Sequence, residues 1–177
     1  IHQTGGPEVL CWEEVDVPVP AAGEATVRHH AVGLNFIDTY HRTGLYPLPL
    51  PSGIGLEGAG VVEAVGEGVS EVKVGDRVAY AGGPLGAYAQ VRNIPAHRLL
   101  VLPASISFET AAAMMLQGLT AAYLLRKTYR VQAGDAVLIH AAAGGVGLIS
   151  CQWAKALGAT VIGTVGSAAK AELAKAH

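Results

Sequence analysis

The sequence predicts two domains of different classes, a β-rich domain over residues 1–117 followed by the start of an α/β domain over residues 118–177. Short apolar segments bounded by Gly, Pro and Asp turns fill the first part of the chain. This pattern is typical of a small barrel. In the second part, an apolar run, a Gly-rich turn, an amphipathic helix and another apolar run occur in the order of a βαβ unit.

The N-terminal domain is predicted to contain six short strands. Each combines β-branched residues or partial alternation of apolar and polar positions with turn residues at its ends. The predicted strands cover residues 9–17, 24–32, 58–65, 77–81, 85–91 and 98–102. A short helix-like segment over residues 35–42 precedes a loop in which three prolines prevent strand pairing.

Helical patterns connect the two domains. Ser107 is a favourable N-cap for a helix over residues 108–117, and the pattern resumes over residues 119–130 after Gly118. The second domain is predicted to contain a strand from residue 136, a helix over 148–157, a strand over 160–165 and a helix over 168–177. Because a doubly wound α/β fold usually has six strands and only two are recognisable, we expect the chain to be the N-terminal part of a longer protein.

The Gly-rich turn matches the fingerprint G-x-G-x-x-G/A as Ala142-x-Gly144-x-x-Gly147. Such a turn must be tight, must let a phosphate contact the backbone and must let the helix pack close to its strand. Unpaired N–H groups and the helix dipole would bind the pyrophosphate at the helix N-terminus. We therefore predict that Gly144, Gly145, Val146 and Gly147 bind a dinucleotide. The alternative is a structural turn that binds nothing, but the strand before it and the helix after it favour the dinucleotide.

The end of the second strand indicates which dinucleotide is bound. An NAD site usually carries an acidic residue there, about 20 residues after the glycines, to bind the ribose hydroxyls. The segment Thr164-Val-Gly166-Ser167 contains none. Ser167 can donate a hydrogen bond to a 2′-phosphate, and Lys170 can neutralise part of its charge. We predict NADPH over NADH, with Lys170 alternatively a solvated charge at the start of a helix.

Composition excludes several classes of function. The formal net charge is −2, with 12 Lys and Arg against 14 Asp and Glu, so no electrostatic argument favours nucleic acid or a membrane surface. No apolar run reaches the roughly 20 residues of a membrane helix. Two cysteines do not form a disulfide framework, so a cytoplasmic setting is expected.

Six motifs in register resemble the quinone oxidoreductases of the zeta-crystallin type, within the medium-chain dehydrogenase/reductase superfamily. They are Gly5-Gly-Pro-Glu-Val-Leu10, Asn35-Phe-Ile-Asp-Thr-Tyr40, Gly44-Leu-Tyr-Pro47, Gly55-Leu-Glu-Gly-Ala-Gly60, Val74-Gly-Asp-Arg-Val78 and His140-Ala-Ala-Ala-Gly-Gly-Val-Gly147. The resemblance implies a GroES-like barrel followed by a Rossmann domain, and usually a homodimer.

The same resemblance bears on metal chemistry. Zinc alcohol dehydrogenases of the superfamily have a Cys at the position of Asn35 and a His at the position of Leu56. An amide and an aliphatic side chain cannot replace a thiolate and an imidazole on zinc. We therefore expect no metal site.

Without a metal, the expected reaction is direct hydride transfer from NADPH to a quinone, for which placement of the two rings is the main task of the protein. By resemblance, Asn35, Asp38 and Tyr40 line the nicotinamide end of the cofactor site. Tyr46 would contact the quinone, because a tyrosine can stack on a flat ring and hydrogen-bond its oxygens. These tyrosines could instead simply pack a loop.

Thr120 and Tyr123 are further cofactor contacts implied by the resemblance, and no residue is assigned as a general base. Two alternatives stay open. An NADPH-dependent enoyl or alkenal reductase would use the same fold and cofactor on a carbon–carbon double bond. A non-catalytic, crystallin-like protein would bind NADPH without turnover.

Overall fold

A five-stranded antiparallel sheet forms the centre of the N-terminal part of the chain in the computed structural model, which describes residues 1–177. Its strands are β1 (Glu24–Val32), β2 (Glu57–Val65), β3 (Arg77–Ala81), β4 (Val91–Pro95) and β5 (Leu100–Val101). They are hydrogen bonded in the order β4-β1-β2-β3-β5. No ladder hydrogen bonds join the two edge strands, β4 and β5. The sheet is therefore open in its hydrogen bonding, whereas the sequence pattern predicts a barrel.

The chain divides into two compact units, Ile1–Leu116 and Gln117–His177. The core of the first unit lies on the sheet, where the largest fully buried apolar side chains are those of Tyr80, Ile94, Val27, Val62 and Val78. A second buried cluster joins the sheet to the helix that follows it. The predicted β-rich class of this part is confirmed.

Three predicted strands differ from the structure. Residues 9–17 form no strand, and a single 3₁₀ turn, Pro7–Val9, precedes irregular chain in which Val19 is 90% exposed. No strand of the sheet pairs with these residues, and Pro18 and Pro20, which follow them, lack the N–H donors that a ladder needs. The strand predicted over 85–91 instead begins at Val91, after Gly86 adopts a φ of 120°. The strand predicted over 98–102 is reduced to Leu100–Val101.

The first helix, α1 (Phe36–Thr43), lies between β1 and β2 along the chain, and the second, α2 (Phe108–Tyr123), follows β5. The predicted cap of α2 is confirmed, since Ser107 Oγ accepts a hydrogen bond from the Thr110 N–H at 3.1 Å. Gly118 does not interrupt α2, which ends in a π-helical turn, Leu124–Thr128. The cost of one helical glycine, about 1 kcal/mol relative to alanine, is small beside the Ala, Leu and Met residues around it.

The second unit contains the predicted βαβ order. It consists of β6 (Ala136–Ile139), α3 (Gly145–Ala156), β7 (Thr160–Gly163) and α4 (Ala168–Ala176). Strands β6 and β7 pair in parallel, and Leu125, Val131 and Ala154 form the buried core. No helix in the chain combines the length and apolar character needed to cross a membrane.

Candidate functional site

The glycine bend, which we define as residues 141–147, connects β6 to α3 in the second unit. Ala141 is the one non-glycine residue with positive φ, at 52°, and its carbonyl accepts a hydrogen bond from the Gly144 N–H at 2.8 Å. Gly144 is the N-cap of α3, and no side chain caps the helix. The N–H groups of the first turn are therefore available to an anion, in the field of the helix dipole.

Gly147 allows α3 to lie close to the bend. A Cβ at this position would overlap the Ala141 carbonyl oxygen and would lie 2.8 Å from the Ala142 carbonyl carbon. Backbone atoms cannot rotate away as a side chain can, so only glycine fits without displacing the helix. This is the close approach that the sequence fingerprint requires of its last glycine.

The chain after β7 is connected to the bend by one backbone hydrogen bond and then begins α4. The Ala142 N–H donates to the Thr164 carbonyl at 3.0 Å, which connects the bend to the end of β7. Ser167 is the N-cap of α4, and its Oγ accepts from the Lys170 N–H at 3.3 Å. The hydroxyl proton of Ser167 can still be donated, and the Lys170 ammonium has no ion-pair partner. Both side chains are exposed.

The two predicted residues on α2 lie in the same unit as the bend. Thr120 and Tyr123 are three residues apart, so they lie on neighbouring positions of one helix face. Tyr123 is about half exposed. Their roles stay predictions.

In the first unit, a buried polar cluster surrounds the start of α1. We define the α1 polar cluster as Asn35, Asp38, Glu57 and Tyr88. Asn35 Nδ2 donates to Glu57 Oε2 at 2.6 Å, and the Asn35 N–H donates to Asp38 Oδ2 at 2.9 Å. The Tyr88 hydroxyl donates to the same Asp38 oxygen at 2.9 Å. Asn35, Asp38 and Glu57 are 6%, 3% and 1% exposed.

Burial controls the electrostatics of this cluster. It raises the pKa of Glu57, although hydrogen bonds from Asn35 and from backbone N–H groups oppose the shift. Burial and the hydrogen bond to Asp38 raise the pKa of Tyr88, which therefore stays a donor at neutral pH. Asp38 Oδ1 is buried and has no hydrogen-bond partner. The cluster thus holds one unsatisfied acceptor at the start of α1.

Aromatic rings lie on the exposed side of α1 and in the loop after it. The Tyr40 and Tyr46 ring centroids are 5.2 Å apart, and Phe36 contacts Tyr40 edge to face at 5.4 Å. Phe36 is 75% exposed and Tyr46 is 46% exposed. The structure therefore brings Asn35, Asp38, Tyr40 and Tyr46 together on one short segment, with ring faces and edges accessible to a flat ligand.

Sequence reasoning missed two members of the cluster, Glu57 and Tyr88. A signal for Glu57 was present, because an acidic residue interrupts the otherwise apolar and glycine-rich run over residues 54–62. A charged residue in a buried strand needs partners. Tyr88 lies 50 residues from Asp38 in a loop, and no local pattern identifies that contact.

Positions 35 and 56, at which the resemblance places zinc ligands in alcohol dehydrogenases, have other partners here. The Asn35 carboxamide is bound to Glu57, and Leu56 is a buried aliphatic side chain. No three His, Cys, Asp or Glu side chains lie together in an arrangement that could hold a metal ion.

A half-buried histidine leads to a prediction about acid stability. His29 Nδ1 lies 2.7 Å from the Ala89 carbonyl, and its Nε2 lies 2.9 Å from the Tyr80 hydroxyl. Burial lowers the pKa of His29 from its ordinary value of 6.5. Below pH 6.5 the unfolded chain binds more protons at His29 than the folded chain does. The stabilising contribution of neutral His29 is therefore present above pH 6.5 and is lost as the pH falls through the lowered pKa.

We expect His29→Gln to lower the free energy of unfolding at neutral pH by about 1–3 kcal/mol, because the half-buried hydrogen bonds to Ala89 and Tyr80 are lost. Glutamine does not titrate, so the difference from the wild type should narrow as the pH is lowered. Urea unfolding of both proteins at neutral pH and at about pH 5 measures this. A difference that stays constant with pH would contradict the assignment.

Comparison with known proteins shows which proteins this chain is similar to. Residues 21–104 match the family model for the alcohol dehydrogenase GroES-like domain. The quinone oxidoreductase of Pseudomonas aeruginosa is 60% identical over 174 residues, which cover 98% of this chain and 54% of that relative. The structure of Escherichia coli quinone oxidoreductase complexed with NADPH superposes with a TM-score of 0.96 at 59% identity, covering 99% of this chain and 54% of that one.

A third relative reduces a different kind of substrate, according to its name. The 2-haloacrylate reductase of a Burkholderia species is 50% identical over 182 residues, which cover 99% of this chain and 54% of that relative. The chain therefore spans about half the length of the curated relatives it matches. These similarities confirm the resemblance inferred from the motifs. They also confirm the predicted order, a GroES-like domain followed by the start of a Rossmann domain.

Proposed function

Since the chain is a homologue of the quinone oxidoreductases within the medium-chain dehydrogenase/reductase superfamily, we propose that the full-length protein transfers hydride from NADPH to a quinone. The observation that carries this proposal is the uncapped helix N-terminus at the glycine bend, in a chain 59% identical to a quinone oxidoreductase solved with NADPH. We further propose residues 1–117 as the catalytic domain and residues 118–177 as the beginning of the cofactor-binding domain.

The residues of the second unit would bind the phosphorylated end of the cofactor. The free N–H groups of Gly145, Val146 and Gly147 would bind the pyrophosphate. Gly144, whose own N–H donates to the Ala141 carbonyl, would let a phosphate approach the backbone at the N-cap. The segment that caps α4 would bind the 2′-phosphate through a Ser167 hydroxyl, the Lys170 ammonium and the backbone at Gly166. Thr120 and Tyr123 would contact the cofactor from α2.

The residues of the first unit would place the reacting rings. Asn35 and Asp38, which are fixed by the hydrogen bonds of the α1 polar cluster, would orient the nicotinamide carboxamide. Tyr40 and Tyr46 would stack against the quinone and hydrogen-bond its oxygens. Bound NADPH would supply the hydride, and solvent would supply the proton that completes the hydroquinone. We propose that no metal takes part. Asn35 offers only an amide oxygen to a metal ion, and Leu56 has no side-chain atom that could bind one.

Steady-state kinetics test the proposal. The full-length protein should oxidise NADPH when a simple benzoquinone is added, faster than the uncatalysed reaction of the two compounds. A rate that never exceeds the uncatalysed one would refute it. Tight NADPH binding without reduction of any acceptor would instead support a non-catalytic role.

A second candidate reaction is reduction of an activated carbon–carbon double bond. The 50% identity to a 2-haloacrylate reductase favours it. The two reactions share cofactor and fold, so the acceptor decides between them. An enone reduced with a higher kcat/KM than any quinone would favour this second reaction.

Tyr46→Ala should separate acceptor binding from cofactor binding. Loss of a stacking surface worth about 0.5–1.5 kcal/mol should raise the KM for the quinone roughly 2- to 10-fold and leave the Kd for NADPH unchanged. Tyr129→Ala is a matched control, because Tyr129 is an exposed tyrosine outside the predicted site. An equal effect of both variants would remove Tyr46 from the quinone site.

The association and location of the protein are also proposals. By resemblance, the full-length protein would form a homodimer, which sedimentation can test. A cytoplasmic location is proposed from the absence of a disulfide framework, since both cysteines are free.

A further inference from the structure

Glu57 is a buried acidic side chain with no cationic partner. It begins β2, is 1% exposed and takes part in none of the ion pairs of the chain. A buried carboxylate is costly unless hydrogen bonds replace the water it has lost. Here the compensation comes from N–H groups alone, and the side chain that provides one of them belongs to Asn35. Part of the cost is therefore met by a residue of the predicted site.

The donors to Glu57 come from two different elements. Oε2 accepts from Asn35 Nδ2 at 2.6 Å, and Oε1 accepts from the Leu116 N–H at 2.8 Å. The Met115 N–H also donates to this carboxylate. Leu116 and Met115 lie inside α2, where an N–H group ordinarily donates to a carbonyl four residues earlier. The carboxylate thus joins the start of α1 to the interior of α2.

Gly33 shows how closely the backbone fits around this carboxylate. A Cβ at position 33 would overlap both Glu57 Oε2 and the Ala112 carbonyl oxygen. The Gly33 N–H also donates to the Glu57 carbonyl at 3.0 Å. The Glu57 side chain therefore has little room to adopt another rotamer, and its oxygens stay fixed relative to β1, which ends at Val32.

The carboxylate determines which way the Asn35 carboxamide points. The nitrogen and oxygen ends of a carboxamide are nearly equal in size, so only its hydrogen-bond partners distinguish them. Glu57 Oε2 accepts from Asn35 Nδ2 and Oε1 accepts from the Leu116 N–H, so the carboxylate acts only as an acceptor here and the NH₂ end of the amide faces Glu57. The backbone of Asn35 is held separately, by Asp38 Oδ2, which the Tyr88 hydroxyl fixes in turn.

We infer that Glu57 is a positioning residue of the proposed reduction, which acts by holding the Asn35 carboxamide in a single orientation toward the ligand. This inference rests on the proposed function. It assigns no contact between Glu57 and the reacting atoms. The ligand instead meets an amide whose donor and acceptor ends are fixed in advance, so no reorientation is needed during hydride transfer.

Glu57→Gln in the full-length protein is the direct test. Glutamine has the same size but only one acceptor oxygen, so its NH₂ group must face either Asn35 or the N–H groups of α2. An NH₂ group that faces α2 would oppose the N–H groups there. An NH₂ group that faces Asn35 keeps those bonds but requires the Asn35 carboxamide to turn its oxygen toward residue 57, so the Asn35 amide loses its wild-type orientation. We expect kcat for quinone reduction to fall at least about 10-fold, since small misplacements of this kind cost about that much or more. The Kd for NADPH should change less than the kcat.

A double-mutant cycle with Asn35→Ala distinguishes positioning from a purely structural role. If Glu57 acts through Asn35, Glu57→Gln should lower kcat at least about 10-fold in the wild-type background and by less than about 2-fold in the Asn35→Ala background. If Glu57 merely anchors α2, the loss should be equal in both backgrounds, which would overturn the inference. An unchanged kcat in the single variant would also overturn it.

Two further measurements keep the test decisive. Should Glu57→Gln give no folded protein by circular dichroism, Glu57→Asp enters the same cycle, because a shorter carboxylate cannot reach both sets of donors. The wild-type turnover with quinone is measured first. A wild type without turnover refutes the proposed function and this inference together, whereas an active wild type with equal losses in both backgrounds refutes this inference alone.

Discussion

Replacing Gly147 with alanine should raise the dissociation constant for NADPH roughly 10- to 100-fold. The added Cβ overlaps the Ala141 carbonyl oxygen and lies 2.8 Å from the Ala142 carbonyl carbon, and both are backbone atoms. This overlap can be relieved only if α3 moves away from the bend, which costs about 1–3 kcal/mol. Because the N–H groups that would bind the pyrophosphate are carried by the first turn of α3, this displacement is converted directly into lost affinity.

Fluorescence titration of the full-length protein with NADPH measures the effect. Gly83→Ala is the matched control, since a Cβ at Gly83 meets no atom within 4 Å and the residue lies outside the predicted site. The control should bind NADPH as the wild type does. If Gly147→Ala binds NADPH with wild-type affinity while remaining folded, the cofactor does not depend on the glycine bend.

Replacing Ser167 with aspartate should reverse the preference between NADPH and NADH. Aspartate caps a helix as well as serine does, so α4 should keep its start. Its carboxylate would repel a 2′-phosphate and could accept hydrogen bonds from the ribose hydroxyls of NADH. We expect the affinity for NADPH to fall by about 10-fold or more, because a like charge placed against a bound phosphate costs several kcal/mol before solvent screening.

Ser167→Asn separates the charge from the change of shape. Asparagine is neutral, nearly the same size as aspartate and an equally good N-cap. The dissociation constants of NADPH and NADH are compared for the wild type and both variants. Similar losses of NADPH affinity in the aspartate and asparagine variants would show that the charge at this position does not select the cofactor.

The second unit could be predicted closely because its information is local in the sequence. An apolar run, a turn of alanines and glycines and a helical pattern follow one another within 22 residues, from Ala136 to Leu157, and the structure places β6, the bend and α3 in that order. The Ser107 cap was predictable for the same reason, since an N-cap contacts a residue only three positions away.

The first unit was harder to predict because its contacts join distant parts of the chain. Alternation over residues 9–17 suggests a strand but cannot show whether a sheet edge is available, and none pairs with that segment. Asn35 and Asp38 could be named from a resemblance. The partners that fix them, Glu57 and Tyr88, lie 22 and 50 residues away from Asn35 and Asp38 respectively. Such partners become visible only when the sheet brings them together.

The central claim is that NADPH reduces a quinone on this protein without help from a metal. A single-turnover experiment tests it most directly. The full-length protein is treated with a chelator, loaded with one equivalent of NADPH and mixed rapidly with benzoquinone, while the nicotinamide absorbance is followed. The account predicts a loss of absorbance that is faster than in the protein-free mixture and equal in rate before and after chelation. A rate no faster than the protein-free control, or one that chelation abolishes and zinc restores, would contradict it.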